Sequence, residues 1–359
     1  MDEIGREVPP PSERTAFRET VRSGRGRILG RIALLAVALI SLYILWPGLL
    51  KLFSAWPQLL TINPIWIVVM IAAEGASFAC QWALVRIALG TNRWLPIATA
   101  QLAGNAFSRI VPGGAAAGGA LQYRMLTQSG FETTRVGTAL TASSLISTAT
   151  IFALPMLALP TILLGAPVAS GLAQATWLGA GAFILFVALG TTLLLRDRPL
   201  ILLARVLQWA IGKLPGRRRG IDDLPERLVR QRNDIRRDLG ADWWRALLAA
   251  AGNWGLDYLA LLAALTAVGA RPRPSLVLLA YVTSVVLGMI PITPGGLGFV
   301  EAGLTATLAL AGVSPPDAVL ATLAYRLVSY WLPILIGPIA YWLHTRRLNR
   351  ASNASPAEG

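Results

Sequence analysis

Residues 289–303 read MIPITPGGLGFVEAG, a stretch apolar enough to lie in a membrane yet unable to continue as one helix. Proline at 291 and 294 removes backbone donors, and the glycine pair 295–296 permits a positive φ, so a helix must end here. The flanking apolar region, 275–312, is therefore two short helices joined by a Pro-Gly-Gly turn. A second stretch, SRIVPGGAAAGGA at 108–120, breaks the apolar region 95–127 in the same way. Broken backbone exposes polar groups that lipid cannot satisfy, so each turn has to line a polar cavity or be buried in protein. Close packing of small residues is the competing explanation for the glycines, more so in the first hairpin than in the second, where Pro291 and Pro294 flank the turn.

Working outward, the whole chain of 359 residues is 55% apolar and 14% charged, against ~25% charged residues in an ordinary soluble domain. That composition specifies a membrane protein and excludes a disordered chain. Cys80 is the only cysteine and His344 the only histidine, which excludes an internal disulfide, two-histidine zinc sites and Cys/His metal clusters. No metal or other cofactor is expected.

The formal charge of +14 is distributed around the apolar runs, not within them. Arginines crowd the tail before residue 32, the stretch 196–240, and the end after His344. Lys and Arg concentrate in cytoplasmic segments, so all three are placed on that side, which points to anionic lipid headgroups and away from nucleic acid. Full-length apolar runs occupy 32–49, 64–90, 135–160, 173–195, 243–269 and 318–343, each long enough for the ~20 residues that a spanning helix needs. The first reads as a retained anchor, since no small-residue cleavage site follows it. Counting crossings makes hairpin 95–127 enter and leave on the cytoplasmic side, and hairpin 275–312 on the outside; Arg271 and Arg273 then lie outside, one local exception.

The expected fold is thus an all-α polytopic membrane protein with six full spans and two re-entrant broken hairpins, arranged as an inverted repeat. Residues 1–29 form a polar tail, 30–345 the transmembrane domain, and 346–359 a second tail, both tails cytoplasmic at the cell membrane. Within the domain the repeats cover about 64–160 and 243–343, separated by an Arg-rich loop at 196–240. Pro112 and Pro294 are 182 residues apart, and Glu74 and Asp257 precede them by 38 and 37. Composition alone predicts roughly 0.2 Pro-Gly-Gly tripeptides in such a chain, so two are suggestive, and the matched acids add weight.

Candidate site residues follow from cost, because an ionisable group at mid-membrane is unfavourable by at least ~2.5–3.5 kcal/mol. Arg326 is too deep in the last span to reach water easily, and a phosphate is its natural partner. Glu301 and Asp257 can each pair with it structurally instead. Glu74 and Gln81 are seven residues apart and share one helix face. Arg109, three residues before the first break, is the best cation of the first half, unless it only reaches the cytoplasmic interface. The turns themselves, Pro112, Gly113 and Gly114 with Pro294, Gly295 and Gly296, present backbone groups to a headgroup. Cys80 is read as packing, His344 as a residue at the cytoplasmic end, and Trp94 and Trp342 as interfacial anchors.

PITPGGLGFVEAG at 291–303, followed by LAYRLVSYWLPILIGPIAYW at 323–342, resembles the C-terminal signature of the lysylphosphatidylglycerol synthase transmembrane-region family, also called flippase-like. The resemblance covers about 30–345 and is more specific in the second half. In better-known members this domain precedes a soluble aminoacyl-transferase domain, and the combined protein makes and translocates lysyl-phosphatidylglycerol, giving resistance to cationic antimicrobial peptides. Here fifteen residues follow His344, so a transferase domain is not expected within this chain. The family's first-half motif has a glutamate after a glycine and an arginine a few positions on. In this chain Ala120 follows Gly119, Arg124 is in place, and Glu74 is the remaining first-half carboxylate.

The resulting expectation is a translocase for a phospholipid or polyprenyl-phosphate headgroup, including an aminoacylated phosphatidylglycerol, with a separate lipid-modifying synthase as partner. No nucleotide-binding motif or recognisable catalytic motif is present, so an enzyme is not expected. The alternatives are an intramembrane subunit of an aminoacyl-phospholipid or glycolipid synthase, and a membrane scaffold.

Overall fold

The computed structural model describes residues 57–157 and 197–354 apart from 61, 112–113, 213–223 and 290–292, together with Leu50 and scattered residues of 174–196. The expected run 32–49 and the first tail lie outside the described residues, as do 355–359 of the second tail, whose residues 346–354 are helical, and about half of the run 173–195. Among the described residues the chain is helical, without strands. Four helices are long and apolar enough to cross a membrane: Pro64–Leu89, Thr133–Leu157, Gly240–Ala267 and Pro315–Arg350, of 26, 25, 28 and 36 residues.

The first half is built from α1 (Pro64–Leu89), α2 (Trp94–Ile110), α3 (Gly114–Gln128) and α4 (Thr133–Ala153), the last extended by a 3-10 turn to Leu157. The second half is built from α7 (Trp243–Ala267), α8 (Pro274–Met289), α9 (Phe299–Leu310), α10 (Pro315–Arg326) and α11 (Leu332–Ala354). Between α10 and α11 the backbone widens into a π-helical segment, Leu327–Trp331, without breaking direction. The order long, short, short, long recurs, with helix starts at 64, 94, 114 and 133 matched by 243, 274, 299 and 315. Both apolar regions expected to break are broken, the first between Ile110 and Gly114 and the second between Met289 and Phe299.

Local chemistry sets the ends of these elements. Asn63 caps α1 by accepting from the Ile65 N–H at 3.0 Å, Pro64 needs no donor at the first helical position, and Gly90 closes the helix with φ 57. The first hairpin closes on Gly114, where a Cβ would sit 1.7 Å from the Ser108 carbonyl oxygen, so only glycine lets α3 leave α2 at that angle.

α1 packs along α7, with α4 against both, so the two halves meet through their first long helices. In that seam Ser77 Oγ donates to the Asn253 carbonyl at 2.8 Å, and Asn253 Nδ2 donates back to Ser77 Oγ at 2.8 Å. Trp254 Nε1 donates to the Ser147 carbonyl at 3.0 Å. Such interhelical bonds register helices whose apolar surfaces gain little from leaving lipid. Cys80 packs, as expected, against Gly252, where an added Cβ would be 2.8 Å from its Sγ. The outward faces remain apolar, with Val68 63% and Leu248 62% exposed, as helices facing lipid require.

The stretch 196–240, expected as a polar loop, contains two helices, α5 (Asp197–Gly212) and α6 (Leu224–Leu239). In α6 the apolar residues Leu224, Leu228, Ile235 and Leu239 recur at spacings of four and seven among charges, which makes an amphipathic surface helix. It lies against α5, α1 and α4, tied by Arg232 to Asp197 at 2.6 Å.

Candidate functional site

Where the halves meet, a cavity of about 150 Å³ is lined by Glu74 of α1, Arg109 of α2, Asp257 of α7, Gly295 of the second turn, and Arg326 of α10. Four of the ionisable residues singled out in the sequence thus line one space, contributed by both halves. A fifth, Glu301, stands behind it.

Arg326 resolves the choice between its two candidate partners. Its Nε donates to Glu301 Oε1 at 2.7 Å, while Glu301 Oε2 accepts the Gly298 N–H at 2.6 Å in a capping box at the start of α9. The carboxylate therefore holds the hairpin tip and the guanidinium together, with both side chains largely buried at 11% and 16% exposure. Arg326 Nη2 also donates to the Gly295 carbonyl at 3.4 Å, so the second Pro-Gly-Gly contributes backbone to the site. Asp257 is occupied differently: Tyr281 donates to Oδ2 at 2.7 Å and Tyr325 to Oδ1 at 2.9 Å. Glu74, 6% exposed, lies within electrostatic reach of Asp257 and Arg109, and its Oε2 has no hydrogen-bond partner among the described residues.

Arg109 does not reach out to an interface. Its Nη1 donates to the Ser329 carbonyl and, at 2.9 Å, to the Tyr330 carbonyl, and it makes no ion pair among the described residues. These acceptors belong to the π-helical segment, where the i→i+5 pattern leaves carbonyls with spare capacity; such bulges often mark functional positions.

Tyr330, which no pattern in the sequence marks out, joins the two hairpin tips. Its hydroxyl donates to the Arg109 carbonyl at 3.1 Å, and its ring lies under both guanidiniums, 5.2 Å from Arg109 Cζ and 4.1 Å from Arg326 Cζ. A Cβ on Gly295 would come within 2.5 Å of that ring, and Gly295 has φ 58, so glycine is required there twice over. The signal available in the sequence was position alone, four residues beyond Arg326 and hence one helical turn away.

Other expected site residues fall elsewhere. Arg124 is exposed on α3 and is not part of the cavity lining, because its face of the helix turns away from α2. Gly114 shapes the first hairpin and does not line the charged cavity; Pro112 and Gly113 lie outside the described residues. Pro294 and Gly296 form the 3-10 turn with Gly295. His344, read from the sequence as a residue at the cytoplasmic end, is 4% exposed, with Nδ1 2.8 Å from Thr99 Oγ1 and Nε2 3.1 Å from the Met125 carbonyl. It is a packing residue between α11, α2 and α3.

A UPF0104 membrane protein from Methanothermobacter thermautotrophicus is 35% identical over 89 residues, 25% of each chain. Another from Pyrococcus horikoshii is 36% identical over 86 residues, 24% of this chain and 26% of that one. The match therefore spans about a quarter of the length of these curated relatives. The family model of the lysylphosphatidylglycerol synthase transmembrane region matches residues 33–337, nearly the whole apolar part of the chain, and this multi-pass membrane protein belongs to that family.

Proposed function

We propose that the protein is a lipid translocase that carries an anionic phospholipid or polyprenyl-phosphate headgroup across the membrane by alternating access between the two hairpins. The observation that carries this reading is the convergence of Arg109 and Arg326, one from each half, on the ring of Tyr330 and on one cavity among apolar helices. Two guanidiniums held in a low-dielectric space supply the directed donors that a phosphate needs. Each is held by groups that a phosphate can replace, Arg326 by Glu301 and Arg109 by backbone carbonyls. Glu301 neutralises Arg326 when the headgroup is absent, and Glu74 with Asp257 accepts any cationic group on the headgroup.

In this reading the recurring element order is an inverted repeat, the hairpins enter from opposite sides, and six spans complete the domain with both termini cytoplasmic. The chain performs no covalent chemistry, and a separate synthase supplies the lipid where the headgroup is aminoacylated.

The test is transport of a fluorescent anionic phospholipid in liposomes reconstituted with purified protein, scored by accessibility of the dye to a membrane-impermeant quencher. Arg326→Ala and Arg109→Ala are each expected to slow transport by on the order of tenfold or more, the loss of one charge-assisted contact. Transport equal to the parent in both variants overturns the phosphate role.

A further inference from the structure

A larger cavity, about 300 Å³, lies entirely within the first half between α1, α2, α3 and α4. Its polar lining includes Gln81, Gln101, Asn105, Ser108, Gln122 and Ser144, and among the described residues no ionisable side chain lines it. Its volume is that of a small ligand pocket. The two cavities are lined by neighbouring residues of α2, Ser108 in one and Arg109 in the other, and Gln81 stands two turns along α1 from Glu74.

Part of the hydrogen-bonding capacity of this lining is unspent, although Ser147 Oγ already accepts from Trp254 Nε1 at 3.1 Å. Gln81 Oε1 and Asn105 Oδ1 are buried and have no partner among the described residues. The hydroxyl protons of Ser108 and of Ser143, another lining residue, are used on their own helix, donating at 2.7 Å to the carbonyls of Asn105 and Ala139, which leaves their oxygens only as acceptors. Buried amide groups left unpaired are unfavourable, which a ligand of matching chemistry relieves. Amides can be turned over, exchanging an acceptor for two donors. A hydroxyl both donates and accepts and satisfies either orientation, whereas an ammonium only donates and would here be buried without a counter-charge.

We infer that this pocket is a subsite for an uncharged polyhydroxyl group, taken as the part of a headgroup that lies beyond the phosphate held at Arg109 and Arg326. The inference rests on the translocase reading for its phosphate and extends it to the headgroup class. Phosphate and polyol then occupy adjacent cavities, one charged and one neutral, so the protein selects a lipid by two independent recognitions.

Titration calorimetry of the full-length protein in neutral detergent, with dioctanoyl phosphatidylinositol, phosphatidic acid and phosphatidylethanolamine, tests this. Phosphatidylinositol is expected to bind on the order of tenfold more tightly than phosphatidic acid. Gln81→Leu and Asn105→Leu should remove most of that preference and keep phosphatidic acid binding, which also shows that the variants are folded; Gln122→Ala, a milder change, should act in the same direction. Equal affinity for the inositol and phosphatidic lipids overturns the polyol subsite while leaving the phosphate site standing. Failure of both to bind overturns the two together. Loss of phosphatidylethanolamine binding in Gln81→Leu, matching the loss for phosphatidylinositol, also overturns it, by assigning the pocket to cations. Free myo-inositol bound in a Gln81-dependent way keeps the polyol chemistry and assigns it to a soluble source instead of a headgroup.

Discussion

The two hairpins share a Pro-Gly-Gly and little else. The first, α2 and α3, carries Gln101, Asn105 and Gln122 into a neutral polar cavity and brings a single cation, Arg109, to its tip. The second, α8 and α9, has an almost wholly apolar first helix, with residues 276–282 buried, and a tip locked by Glu301 to Arg326. One hairpin is polar along its length and the other only at its turn. Both tips are nonetheless anchored on the same short stretch, Arg326 to Trp331, because Arg109 donates to the carbonyls of Ser329 and Tyr330 while Arg326 reaches Glu301 and Gly295. The halves share an order of long and short helices and divide the chemistry, with the π-helical segment as the seam between them.

The contrast is broken most severely at the second tip. Arg326→Ala strands Glu301 with only the Gly298 N–H, and breaking a buried pair in this way is expected to cost ~3–5 kcal/mol; thermal unfolding in detergent should show a large fall. Replacing both, as Arg326→Met with Glu301→Gln, should recover much of that loss, and a double variant as unstable as the single one would show that the pair is not what holds the tip.

Next in size is glycine. Gly295→Ala places a methyl group against Tyr330 at a φ of 58 and should destabilise by about 1–3 kcal/mol. Gly119→Ala, in the first hairpin, meets nothing within 4 Å and should be neutral or stabilising by roughly 0.5–1 kcal/mol. Equal effects of the two substitutions would erase the distinction between a glycine at a turn and one in a packed helix.

The smallest effect is at the seam. Tyr330→Phe removes the hydrogen bond to the Arg109 carbonyl, a loss that should cost about 1 kcal/mol, while keeping the ring under both guanidiniums. Transport retained in Tyr330→Phe and lost in Tyr330→Leu would identify the ring face as the part that matters. Sidedness is open to a direct measurement, because Cys80 is the only cysteine: on a Cys80→Ser background, cysteines at 115 and 298 should react with impermeant reagents from opposite sides. Labelling of both from one side would end the inverted arrangement.

Much of the fold was legible along the chain. Runs of apolar residues and a Pro-Gly-Gly in the middle of two apolar regions act over a few residues, and those rules hold wherever the chain goes. The cost of burying charge likewise singled out Glu74, Arg109, Asp257, Glu301 and Arg326 before any packing was known. What helix spacing obscured was the amphipathic α6, hidden in a charge-rich stretch that reads as a loop.

Pairing was decided only by tertiary structure. Glu301 and Asp257 were equivalent partners for Arg326 until the turn brought Glu301 to 2.7 Å and two tyrosines enclosed Asp257. Tyr330 meets Arg109 across 221 residues of sequence, and the neutral cavity beside them requires four helices at once. Sequence determines what each segment can bury, because transfer from water to lipid is a property of the segment itself. Which polar groups face one another depends on where distant segments cross, and no local pattern carries that information.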